Sequence, residues 1–158
     1  MKTLRDLKWL LAAGNSTPSC KAAILLYLHG VKLSASTKLK VGEVDFTSSP
    51  AKIVFGSSRT AYVTDELSDV LRGLAAEKSA DGLLLGYESI SEFHADFRRM
   101  VRTSKLVRFD LSHIKEIFRA AAGSGYALLK QYESARPFTS EDVRRAWLKV
   151  LPRLVVGV

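Results

Sequence analysis

One stretch near the middle of the chain sets its architecture. Lys52-Ile53-Val54-Phe55 and Thr60-Ala61-Tyr62-Val63 are short runs rich in β-branched and aromatic residues, joined by the turn Gly56-Ser57-Ser58-Arg59. That pattern is a hairpin signature. A further short strand, Glu43-Val44-Asp45-Phe46, precedes it across the turn Thr47-Ser48-Ser49-Pro50, and the rest of the chain reads helical. So small a sheet needs helices to cover its apolar face. The expected fold class is α+β, mainly α: a helical domain around a small three-stranded antiparallel sheet.

Helical spacing marks the covering segments. Leu4, Leu7, Leu10 and Leu11 form a stripe over residues 3–13, broken by Gly14-Asn15-Ser16-Thr17-Pro18. A helix from near Ser19 carries Ala22, Ile24, Leu25 and Leu28 inward and stops at His29-Gly30. There His29 meets the helix dipole and the glycine suits a left-handed cap. Ser34 is expected to cap a short helix over 34–40. Thr64-Asp65-Glu66-Leu67 opens the next, with Val70, Leu71 and Leu74 apolar, and Asp81-Gly82 turns the chain before Leu83-Leu84-Leu85. Ser91 is expected to cap a helix with Phe93, Phe97 and Val101 inward. Asp110 or Leu111 starts another with Ile114, Ile117 and Phe118, ended by Gly123. Thr139-Ser140-Glu141-Asp142 begins a last helix bearing Val143, Trp147, Leu148 and Leu151, closed by Pro152. No repeat appears, so residues 1–158 read as one domain. Its apolar tail, 152–158, is free to dock on its own chain or on a second copy as a homo-oligomer.

At 158 residues and 47% apolar, the chain can bury a core, which argues against wholesale disorder. A single cysteine, Cys20, excludes an intramolecular disulfide and a multi-cysteine zinc site. No apolar run approaches the roughly 18 residues of a membrane span. Asp6 and Lys8 interrupt what would otherwise resemble a signal peptide. A soluble cytoplasmic domain without membrane contact is expected. No Walker loop, glycine-rich dinucleotide motif, zinc motif or hydrolase triad stands out, so no cofactor and no metal are expected.

Charge is the first functional clue. The net charge is +8, but residues 43–96 hold ten acids against four bases, so the remainder carries +14. The excess lies in three stretches: 21–40, with four lysines and no acid; 98–119, with seven bases against two acids; and 136–153, with five against two. Such asymmetry suits one face that attracts a polyanion; the plainer reading is a set of solvated helix faces. Arg98, Arg99, Arg102, Lys105 and Arg108 are the densest cluster, the arginines falling on one side of their helix. Arg144, Arg145 and Lys149 form a second patch, and Lys32, Lys38 and Lys40 a third. Duplex DNA is the natural ligand, held through its phosphates.

The order of elements also resembles a known family. Leu25-Leu26-Tyr27-Leu28-His29-Gly30-Val31-Lys32-Leu33-Ser34 precedes Leu39-Lys40-Val41-Gly42-Glu43-Val44-Asp45-Phe46, and then comes the hairpin ending Arg59-Thr60-Ala61-Tyr62-Val63-Thr64-Asp65-Glu66-Leu67. The helix at Ile90-Ser91-Glu92-Phe93, the segment Phe109-Asp110-Leu111-Ser112-His113, and Tyr132 before a helix ending Leu151-Pro152-Arg153-Leu154 follow in turn. This resembles the catalytic domain of tyrosine recombinases, of archaeal and viral integrase type, from about residue 22 onward.

The resemblance implies DNA binding and, in its full form, strand transfer through a phosphotyrosine. Preorganised cations would there stabilise the charge growing on the phosphate. It would make Tyr132 the nucleophile, with Lys32, Arg59 and His113 around the phosphate. Lys32, however, stands in place of an arginine and lacks its bidentate fork. Ser57 or Ser58 occupies the hairpin lysine position, Phe109 replaces a histidine, Ser112 replaces the second arginine, and the stretch from Ser112 to Tyr132 is short. The expectation is a DNA-binding protein of recombinase type without full strand transfer. An active enzyme using Tyr132 and a protein-interaction module are the alternatives.

Taken singly, these residues have plainer readings. Tyr132 and its neighbour Tyr126 suit packing aromatics, and His113 a surface histidine. His94 is not at metal spacing with it, and Cys20 suits a small buried hydrophobe.

Overall fold

The computed structural model describes residues 4–29, 31–47, 51–55, 59–63 and 65–122. They form α1 (Leu4–Ala13), α2 (Pro18–Leu28), α3 (Leu33–Ser36), β1 (Val44–Asp45), β2 (Lys52–Phe55), β3 (Arg59–Tyr62), α4 (Asp65–Ala75), α5 (Ile90–Thr103) and α6 (Leu111–Ala122). The domain is mainly helical with a small antiparallel sheet. The helix expected after Thr139 lies outside the described residues.

α2 is apolar over most of its circumference beyond Lys21, and such a helix must be largely surrounded. It is: Cys20, Ala22, Ala23, Ile24, Leu25, Leu26 and Leu28 are all buried, with α3, α4 and α5 packed against it. Pro18 starts it at a position where no amide hydrogen is needed. The outer helices are amphipathic. α1 buries Leu7, Leu10 and Leu11 and packs on α5 and α6; α4 buries Leu67 and Leu71. α5 buries Phe93, Phe97 and Met100, whereas Val101, expected among the inward residues, is only half-buried. Where the chain turns between α1 and α2, Gly14 lies so close to α5 that an added Cβ would sit 2.7 Å from the Met100 methyl carbon.

β2 and β3 pair antiparallel, Ile53 opposite Ala61 and Phe55 opposite Arg59; the two-residue β1 pairs with the other edge of β2. Ile53 is buried while Val54 is 43% exposed, the alternation of a sheet with one wet face. Arg72 of α4 fastens β1 from the side: its guanidinium donates to the Phe46 carbonyl at 3.2 Å and lies 4.8 Å over the Phe46 ring.

Two sequence expectations are corrected. Lys32, not Ser34, is the N-cap of α3, and the helix ends at Ser36 instead of running to 40. The backbone beyond it is drawn away by a distant loop: Val41 N–H donates to Gly82 O, Gly42 N–H to Ala80 O, and Leu39 O accepts from Leu84 N–H. Ser89, not Ser91, precedes α5, with no hydrogen bond from its side chain; Glu92 instead accepts the Glu88 amide at 3.3 Å. His29 stands at the end of α2 as expected and meets it as a hydrogen-bond donor. It is 1% exposed and its Nδ1 lies 2.6 Å from the Leu25 carbonyl, to which it donates. Burial pulls its pKa down to about 4, so it is neutral near pH 7.

Candidate functional site

The densest basic cluster lies on α5 and the loop after it, and local rules explain how it is held. His94, Arg98 and Arg102 are four residues apart, so they line one side of α5, their Cα atoms about 6 Å apart along the axis. Phe97 and Val101 form the adjoining stripe. α5 ends with the Lys105 amide bonded to Arg102 O at 3.1 Å and the Leu106 amide to Val101 O at 3.3 Å. This is a Schellman closure, which requires a left-handed residue at its centre, normally glycine. Lys105 fills that position with φ 58°, and Arg108 repeats the conformation with φ 51°. Two bulky cations therefore hold backbone conformations that glycine would adopt without strain.

This double reversal turns Phe109 back into the core and starts α6 against α5. Asp110 caps α6: its carboxylate accepts from the Ser112 amide at 2.9 Å and from the Ser112 hydroxyl. The Ser112 hydrogen bond is the main cause that holds the Asp110 carboxyl below its ordinary range. His113 completes a reciprocal cap, its Nδ1 accepting the Asp110 amide at 3.0 Å, and its ring lies 5.5 Å from that of Phe109.

Between α5 and the start of α6 lies an open groove of about 690 Å³. Phe97, Val101, Phe109 and Leu111 give it carbon walls, and Arg98, Arg102, His94, Asp110 and Ser112 give it polar ones.

Arg99 differs from its neighbours. It pairs with Asp96 at 3.2 Å, and Asp96 accepts the Tyr87 hydroxyl at 2.6 Å. The buried Cys20 thiol completes this network. Burial, then the negative charge of Asp96, pushes the thiol up to about 12, and burial with the Asp96 hydrogen bond pushes Tyr87 well above the usual phenol range. Neither group is an ionised nucleophile near neutral pH; together they tie α2, the 85–89 loop and α5. Arg98, Arg102, Lys105 and Arg108 are exposed, and among the described residues none has a carboxylate within ion-pair distance.

The remaining expected site residues come from other elements. Lys32, Lys38 and Lys40 are exposed on and after α3; Lys40 lies where the backbone bridges to Leu83 and its amide donates to Glu43 at 2.8 Å. Arg59 is the first residue of β3. Lys32, Arg59 and His113 thus sit on three separate elements. Tyr132, Arg144, Arg145 and the 152–158 tail lie outside the described residues. The groove and its lining by His94, Asp110 and Ser112 were not foreseen, although the His94-Arg98-Arg102 spacing was legible. Among the described residues no group of three or more metal-ligating side chains occurs, and no helix is long and apolar enough to cross a membrane.

No protein-family model, curated protein or solved structure matches this chain.

Proposed function

We propose that this protein binds duplex DNA through its phosphate backbone, using the α5–α6 surface, and that its fold is of the tyrosine recombinase catalytic type with a three-stranded sheet. One observation carries the reading: four exposed cations within eleven residues, Arg98, Arg102, Lys105 and Arg108, lack an ion-pair partner among the described residues, while the intervening Arg99 has one. Two of them occupy left-handed backbone. Strain of order 1 kcal/mol per residue is characteristic of functional surfaces. Cations so arranged suit regularly spaced phosphates, which position a protein without reading sequence. Lys32, Lys38, Lys40 and Arg59 extend the proposed contact. Binding is favoured over strand transfer because, on that resemblance, Ser112 and Phe109 stand where the family has its second arginine and a histidine, and Lys32 lacks the fork of the first arginine.

The test is a set of charge-removing variants measured against an unrelated duplex. Arg98→Gln, Arg102→Gln and Lys105→Gln should each weaken binding to every sequence alike and lower the salt slope by about 1. Asp96 fixes Arg99, so Arg99→Gln should change binding least. Equal effects from all four arginine and lysine variants, or none from any, would refute the assignment of this surface. A covalent protein–DNA adduct that disappears in Tyr132→Phe would instead establish the enzyme.

A further inference from the structure

We infer that the groove between α5 and the start of α6 is a nucleotide receptor, its slot taking one unstacked nucleobase whose phosphate rests on Arg98 and Arg102. At about 690 Å³ it lies within the range of small-molecule sites, roughly 300 to 1,000 Å³. Its two kinds of wall match the two faces of a base. Phe97, Val101, Phe109 and Leu111 offer carbon to a flat ring, while Asp110 and Ser112, bonded to each other in the α6 cap, leave the second carboxylate oxygen and the hydroxyl lone pairs as acceptors on the polar side. An aliphatic chain would lay carbon against those polar groups, so a fatty-acid ligand fits less well.

Arg98 and Arg102 stand one helical turn apart on the same wall. Like charges so placed repel unless an anion lies between them. Lys105 and Arg108 carry the positive charge onward into the loop, as a strand with a phosphate on each side of an inserted base requires. An unpaired base in DNA and a free nucleotide share this chemistry. The inference rests on the duplex reading only for the first source.

The experiment compares four probes by fluorescence titration: a plain duplex, the same duplex with one bulged thymidine, the same with a bulged abasic residue, and thymidine monophosphate. The bulged duplexes carry equal phosphate charge, so their difference reports the base alone. The thymidine bulge should bind roughly tenfold tighter than the abasic one, the scale of one stacked base. Leu111→Trp, or Val101→Phe from the opposite wall, should abolish that difference and leave plain-duplex binding unchanged. The base-against-abasic comparison needs no variant and stands even where both substitutions prevent folding. Tight binding of the monophosphate with no preference for the bulge would support the receptor and assign it a free nucleotide. Equal binding of all three duplexes, with none of the monophosphate, would overturn it while leaving the duplex reading intact. No binding of any probe would overturn both.

Discussion

Lys105 offers a test that separates the strain of its backbone from the charge of its side chain. It sits at the left-handed centre of the closure that ends α5, with φ 58°. That conformation costs a residue with a Cβ roughly 1 to 2 kcal/mol relative to glycine. Glycine gives back about 0.5 to 1 kcal/mol because its unfolded chain is freer. Lys105→Gly should therefore be more stable than Lys105→Ala by about 0.5 to 1 kcal/mol, or about 1 to 4 °C in Tm for a chain of this size. Both variants lose the same charge and stem, so their difference isolates the backbone. Urea unfolding followed by circular dichroism measures it as a shift in midpoint at constant slope. Both should lose one phosphate contact, so the salt slope of DNA binding should fall by about 1 in each. If alanine proved as stable as glycine, Lys105 would not hold left-handed backbone in solution, and the argument that strain marks this loop would collapse.

The pH dependence of stability should carry the mark of His29. Its folded pKa of about 4 lies below the ordinary 6.5, so within that window the unfolded chain takes up a proton that the folded chain refuses. Stability should be whole above about pH 6.5 and fall by about 3 kcal/mol as pH drops towards 4. His29→Leu should flatten this window, and a wild-type midpoint with no slope there would contradict the burial. Cys20, buried with its pKa raised to about 12, should react with iodoacetamide only as fast as the protein opens; rapid labelling under native conditions would show otherwise. Tyr87→Phe removes the hydroxyl that Asp96 accepts at 2.6 Å and should cost about 1 to 3 kcal/mol in urea unfolding, an unchanged midpoint denying the bond any weight. Asp110→Ala should cost about 1 kcal/mol by uncapping α6, and Asp110→Asn much less; equal Tm values for the two would refute the cap.

What the sequence made legible was local. The stripe Leu7, Leu10, Leu11 and the antiparallel pairing of β2 with β3 rest on neighbours a few residues away, and among the described residues the helices and strands other than α3 stand close to where periodicity put them. α3 was misjudged because the amides of Val41 and Gly42 bond to carbonyls about forty residues further on, which no window reveals. The groove was hidden for a related reason. Its two walls face each other through reversals at Lys105 and Arg108, residue types that do not announce a left-handed turn as glycine does. The Cys20–Tyr87–Asp96 network joins three distant segments, so Cys20 was read only as a small hydrophobe. His113 was placed beside a phosphate by the resemblance and was otherwise a surface histidine, yet the spacing Asp110-x-x-His113 also mimics a capping box with histidine in place of glutamate.

The central claim is that the α5–α6 cations grip duplex phosphates, and the salt dependence of binding tests it most directly. If Arg98, Arg102, Lys105 and Arg108 each neutralise one phosphate, the logarithm of affinity should fall with the logarithm of salt at a slope of about −3.6. That is a loss on the order of 100-fold between roughly 50 and 200 mM. A flat dependence, or no binding at the lowest salt, would contradict the account and leave the basic surface as solvated helix and loop.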